Sequence, residues 1–297
     1  MFLRMIRYQL LQMVHRREFK VSFGIVMGCC LFFNLYYVVS YWGWDNQLIP
    51  PAHFFFMGYL PTEFHFSEII ILIMPVIVSM VFATSAVDDR RLGLPALLYT
   101  RSSAKHYASA KLTTGFLGTF FVFFAPLCIG LLLHVLGFPL EGDRSFDNQS
   151  LFGWFARSLD GMAYRYTDSH DFPGLFYLSP YLYDLFYAFL YSLFAGVASV
   201  FAGGISLFVR KSKLLVLAPF FLFTILLNWL EMIVETVATS RGKALTVHLS
   251  YRHYVMAGAF HPLDTWHPFW YVFVLMTVLI YVGTSLARLK QSKDFLD

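Results

Sequence analysis

Apolar side chains crowd six long stretches of the chain, and charged residues fall almost entirely between them. The charge-free cores are residues 21–44, 69–87, 112–140, 185–209, 214–230 and 265–287. A helix rises about 1.5 Å per residue, so each stretch is able to cross a hydrocarbon core of about 30 Å. Lipid offers the backbone no hydrogen-bond partner, which favours helices, and a membrane β-barrel would instead show short alternating segments. The pattern therefore predicts an all-α integral membrane protein with spans at 21–44, 67–87, 112–136, 182–209, 214–237 and 266–287. The fifth continues past Glu231 and Glu235 because Met232, Ile233, Val234 and Val237 extend its apolar character.

The first 20 residues follow a different period. Phe2, Leu3, Ile6, Leu10 and Met13 recur every three or four positions, while Arg4, Arg7, Arg16, Arg17 and Lys20 interrupt them. That predicts an amphipathic helix over 1–20 in the headgroup layer, not a cleaved signal segment. Pro75, Pro126 and Pro219 lie within spans two, three and five, where a missing amide donor bends a helix unless neighbours compensate. Span four carries Ser192, Ala195, Gly196, Ser199, Ala202, Gly203 and Ser206 on a strip that allows close helix approach, and Gly24 and Gly28 repeat the device in span one. Such strips serve either packing within one bundle or a dimer seam.

Composition agrees with the pattern. Of 297 residues, 58% are hydrophobic and only 13% charged, against about 25% charged in soluble domains. Sixteen of the 22 Lys and Arg residues lie on one side of the predicted spans and six on the other, which puts the richer side, and both termini, in the cytoplasm. The basic residues sort by membrane side, so the net charge of +4 speaks for topology and against nucleic acid as a partner. Trp42, Trp44, Trp266 and Trp270 sit where spans meet the outer interface. Cys29, Cys30 and Cys128 lie in apolar stretches without metal-ligand spacing.

Three connectors exceed a simple turn: 88–111 on the cytoplasmic side, and 137–181 and 238–265 outside. The first opens with Asp88, Asp89, Arg90 and Arg91, passes Gly93 and Pro95, runs through Leu97 and Leu98, and reaches Arg101, Ser102, Ser103 and Lys105. Pro95 suits the first turn of a short helix, and Ser102 or Ser103 suits the cap of span three. Read from its residues alone, this is either a membrane-hugging connector or a docking element.

The segment resembles the cytoplasmic loop after the second span in membrane subunits of ABC-2 type exporters. The shared features are the acidic and basic start, Gly93, the Leu pair, the Ser/Arg cluster and Lys111. Ala96 lies where a Glu is common, Ser102 or Ser103 replaces a usual Pro, and Ala110 replaces a Gly. The amphipathic first helix, six spans and the long hydrophobic insertion before the last match the family's plan over the whole chain. The resemblance implies a bacterial plasma-membrane permease that exports an unidentified cargo, with an antimicrobial peptide, drug or lipid-like molecule among the candidates. It implies a short coupling helix, with Asp88, Asp89, Arg90, Arg91, Gly93, Leu97, Leu98, Arg101, Ser102, Ser103 and Lys105 facing a cytoplasmic ABC ATPase subunit. It also implies a second permease subunit and a re-entrant outer segment within 238–265.

The chain is expected to bind no cofactor itself and to leave ATP and Mg to the partner, because no phosphate-cradling loop is present. Its nearest fragment, at Gly242 and Lys243, has Val237 where Gly is required and Ala244 where Ser or Thr is required. Glu231 and Glu235 lie one helical turn apart near the outer end of span five, either as solvated snorkelling side chains or as a cation-attracting exit vestibule. His53, His65, His170, His248, His253, His261 and His267 fall in outer loops, with no spacing that demands a metal, and no catalytic motif appears. Two other classes fit a multi-pass chain. An ATP-independent secondary transporter or channel would show mid-span charges and broken repeats, and a membrane enzyme would show ionisable clusters at matched depth.

Overall fold

A computed structural model describes residues 2–45, 49–56, 66–93, 104–140, 172, 175, 178–209, 214–240, 248–255 and 269–294. Among these the regular structure is entirely helical. Helix α1 is Phe2–His15, α2 Arg17–Ser40, α3 Phe66–Val78, α4 Ser85–Arg91, α5 Ala104–Gly137, α6 Pro180–Ser206, α7 Leu214–Ser240, α8 Arg252–Val255 and α9 Trp270–Asp294. Six helical stretches are long and apolar enough to cross a bilayer: Arg17–Ser40, Ile69–Arg91, His106–Gly137, Pro180–Ser206, Leu215–Ala238 and Trp270–Lys290. The chain is a multi-pass membrane protein.

Burial differs sharply among the spans. About 72% of span four's apolar window is buried, against 28% in spans one and five. Leu31, Phe32, Leu35, Leu222, Leu226, Trp229 and Val278 are exposed, a distribution that only a lipid solvent tolerates. Span four is the post around which the others stand. Its start is set by Pro180 in the first turn and by Ser179, whose hydroxyl accepts from the Leu182 amide. Ser192, Ser199 and Ser206 donate to carbonyls three or four residues back, which satisfies their hydroxyls without a second helix.

The strip of small residues on span four is used inside the bundle. A Cβ on Gly196 would lie 3.0 Å from the Phe116 ring, one on Gly203 2.9 Å from Leu112, and one on Gly283 of α9 2.6 Å from the Val200 carbonyl. Gly24 and Gly28, by contrast, face open space.

The prolines do not act alike. Pro75 is followed by a π-helical turn, Ser79–Ala83, that separates α3 from α4, a common response to an interrupted bonding ladder. Ser79 donates to the Pro75 carbonyl at 3.1 Å, and Tyr191 of span four donates to the Ile70 carbonyl at 2.9 Å. Helices α5 and α7 run unbroken through Pro126 and Pro219.

Helix ends fall outside the charge-free cores. Helix α1, expected over 1–20, stops at His15 because Arg16 is extended, and span one begins at Arg17 instead of 21. Span two continues to Arg91, and the helix of span three begins at Ala104. The connector expected over 88–111 is therefore helical at both ends. Its middle, 94–103, lies outside the described residues, as do most of 137–181 and, within 238–265, residues 241–247 and 256–265.

Candidate functional site

Two buried carboxylates organise the polar chemistry of the molecule. The first is Asp89 near the end of α4, which is 2% exposed. Its Oδ1 accepts from Arg16 Nη2 at 3.0 Å, and its Oδ2 accepts from Tyr107 Oη at 2.8 Å and from Lys111 Nζ. Arg16 reaches both aspartates, since its Nη1 donates to Asp88 Oδ2 at 3.2 Å. The Lys111 ammonium also lies 5.1 Å from the Phe82 ring centre and 5.4 Å from that of Tyr107, contacts that offset part of its desolvation. Next to Asp89, Arg90 donates to the carbonyls of Ser206, Leu207 and Val209. These carbonyls lie at the end of span four, where a cation is favourable, and that of Ser206 also accepts the Val209 amide.

One turn of helix thus ties together the α1–α2 junction, span three and span four. The extended Arg16 aims its side chain at this turn, and the seven-residue α4 places Asp89 and Arg90 side by side so that one faces α5 and the other α6. Gly93, at φ +67°, ends α4 in a conformation that other residues adopt only with strain.

The sequence-predicted partner-facing residues divide accordingly. Asp89 is buried and Asp88 and Arg90 are half-buried, each with partners within the chain; Arg91 and Gly93 are exposed. The surface reading of Asp89 gives way to an internal one, because its carboxylate neutralises two cations from other helices. The backbone of Lys105 belongs to α5, and Leu97, Leu98, Arg101, Ser102 and Ser103 lie outside the described residues.

The second carboxylate is Glu231 on α7, 7% exposed. Its Oε2 accepts the backbone amides of Leu249 at 3.1 Å and Ser250 at 2.8 Å. It therefore caps the turn that becomes α8 from another helix. Its Oε1 lies 2.8 Å from His253 Nε2 and 3.6 Å from His248 Nδ1. The two imidazoles stack with ring centres 3.8 Å apart. Burial pushes His253 below its ordinary pKa, with Glu231 opposing. Arg252 Nε lies 3.2 Å from His253 Nε2, and the Arg252 side chain is exposed.

Aromatic packing holds this segment in place. Tyr251, Tyr254 and Val255 are fully buried, Tyr251 stacks on Phe194 of span four at 4.5 Å, and Tyr254 Oη donates to the His248 carbonyl at 2.7 Å. Of the two roles expected for Glu231, the solvated snorkelling side chain does not describe its buried, hydrogen-bonded carboxylate. Glu235 is half-buried. His248 and His253 are residues that sequence reasoning missed as a pair. The signal was the short run His-Leu-Ser-Tyr-Arg-His after a Glu-bearing helix, and only the chain's return to span five gives it meaning.

Two further features complete the inventory. Asp184, 1% exposed near the start of span four, has an Oδ2 without a hydrogen-bond partner among the described residues. A cavity of about 320 Å³ between α5, α6 and α9 is lined by apolar Leu112, Phe116 and Val200 and by polar Thr113, Thr284 and Arg288. Comparison of the chain with family models, curated proteins and solved structures gives no match.

Proposed function

We propose that the chain is the membrane-spanning permease subunit of an ABC-2 type exporter in a bacterial plasma membrane, paired with a second permease and driven by a separate cytoplasmic ATPase that holds ATP and Mg. Support comes from the six crossing helices, the amphipathic α1 that leads into the first, and the cationic bias of one side. The observation that carries the reading is the clamp around Asp89 and Arg90. Residues 94–103 connect α4 to α5, and both helices are pinned by that clamp to α1, α2 and α6. A push on the connector is thereby delivered to spans two, three and four together, which is what an engine outside the membrane requires. In this reading the exposed Arg91 and Gly93, with 94–105, meet the ATPase, while Asp88, Asp89 and Arg90 transmit the load.

Residues 248–255 act as part of a re-entrant outer gate, with both chain ends in the cytoplasm. The cavity between α5, α6 and α9 is within the lower size range of small-molecule sites, and its apolar wall with a polar rim suits an amphipathic cargo. Co-expression with an ABC ATPase, if an adjacent reading frame encodes one, tests the reading. The two chains should co-purify, and substitutions at Gly93 and Arg101 should abolish ATP-coupled transport without unfolding the permease. Transport that needs no ATPase would overturn it.

A second reading, a secondary transporter, is favoured by Asp184, since a buried carboxyl in a span is a common proton-relay element. Transport driven by a proton gradient and lost in Asp184→Asn would select it.

A further inference from the structure

We propose that Glu231, His248 and His253 form a binding site for a divalent transition metal ion of the zinc class, on the outer side of the membrane. One ligand atom from each residue lies within 4.8 Å of the others, so small side-chain shifts bring all three to the roughly 2.0–2.2 Å bonds that zinc makes to imidazole and carboxylate. Two nitrogen donors and one oxygen favour zinc, and disfavour calcium and magnesium, which take oxygen shells. Three protein ligands leave a fourth position for water or an outside donor.

The surroundings are built as metal sites need them. The Leu249 and Ser250 amides occupy Oε2 and fix the carboxylate, so Oε1, already next to both imidazoles, is the oxygen presented to an ion. Tyr254 holds the His248 carbonyl, and Tyr251, stacked on Phe194, anchors the backbone between the two histidines. Such supporting contacts orient ligands and raise affinity. Arg252 Nε lies against His253 Nε2, and its exposed side chain is free to turn into water as the ion enters. Glu235, one turn along α7, adds negative charge nearby. Binding adds metal bonds between span five and the 248–255 segment to the hydrogen bonds that Oε2 keeps. The inference rests on these residues and stands apart from the exporter reading.

The full chain, purified in detergent and stripped with a chelator, tests it by equilibrium dialysis against zinc, with magnesium and calcium as comparisons. One zinc per chain is expected, with a visible spectrum of tetrahedral nitrogen and oxygen ligation when cobalt replaces zinc. Glu231→Gln keeps an acceptor for the two amides, so the turn survives. This variant and His253→Gln should weaken binding by more than about 100-fold, beyond the 10–100-fold expected when only a supporting partner is lost. His15→Gln, at an exposed position of α1, should change nothing. If a variant does not fold by circular dichroism, the cobalt spectrum of the unaltered chain still decides. No zinc bound by that chain, zinc held equally by both variants, or magnesium bound as tightly as zinc would each overturn the proposal.

Discussion

Asp89 and Glu231 are both buried carboxylates that tie a helix to distant parts of the chain, yet they are neutralised by different chemistry. Asp89 meets the Arg16 guanidinium and the Lys111 ammonium, donors with no lone pair to offer an ion. Glu231 meets two backbone amides and two imidazoles, and imidazole nitrogens ligate metals. The first arrangement makes a permanent clamp. The second is a joint that, with the proposed metal site, would change in strength as an ion binds, whereas the proposed exporter reading gives the first the transmission of force.

The largest test of this contrast is Asp89→Asn. It leaves Lys111 and Arg16 buried against a neutral amide, and loss of one partner from such a set costs about 3–5 kcal/mol. Thermal unfolding in detergent should show a large drop that zinc does not repair. Glu231→Gln should cost less, about 1.5–3 kcal/mol, because the amide oxygen still accepts the Leu249 and Ser250 amides without the benefit of charge. Equal losses at the two sites would break the comparison. Arg90→Met sharpens it by removing the cap on span four while keeping side-chain bulk, at up to about 2 kcal/mol. The smallest effect belongs to Asp88→Asn, whose half-exposed contact with Arg16 is worth less than about 1 kcal/mol.

Six helices were legible because a run of apolar residues long enough to cross lipid has few alternatives in a chain this poor in charge. Their ends were less so. Counting charges treats Asp89, Arg90 and Lys111 as marks of a boundary. Paired with one another or with helix-end carbonyls, these residues instead extend the helices, and their partners lie more than 100 residues away in the case of Arg90 and span four. The small residues of span four announced close packing, and only the contacts with Phe116, Leu112 and Gly283 decided between a bundle interior and a dimer seam. The Glu231 cluster was hidden for the same reason as the Asp89 clamp. Residues 231, 248 and 253 converge through a chain reversal that no local periodicity records, and nothing in the sequence around Asp184 announces its burial.

Both assignments require the two carboxylates to lie on opposite faces of the membrane. Replacing Cys29, Cys30 and Cys128 with Ser, then placing single cysteines at the exposed Arg91 and Arg252, allows each end to be probed with a membrane-impermeant maleimide. In intact cells Arg252→Cys should be labelled at once, and Arg91→Cys only after the membrane is opened. Labelling of Arg91→Cys in intact cells, or of both positions alike, would contradict the account.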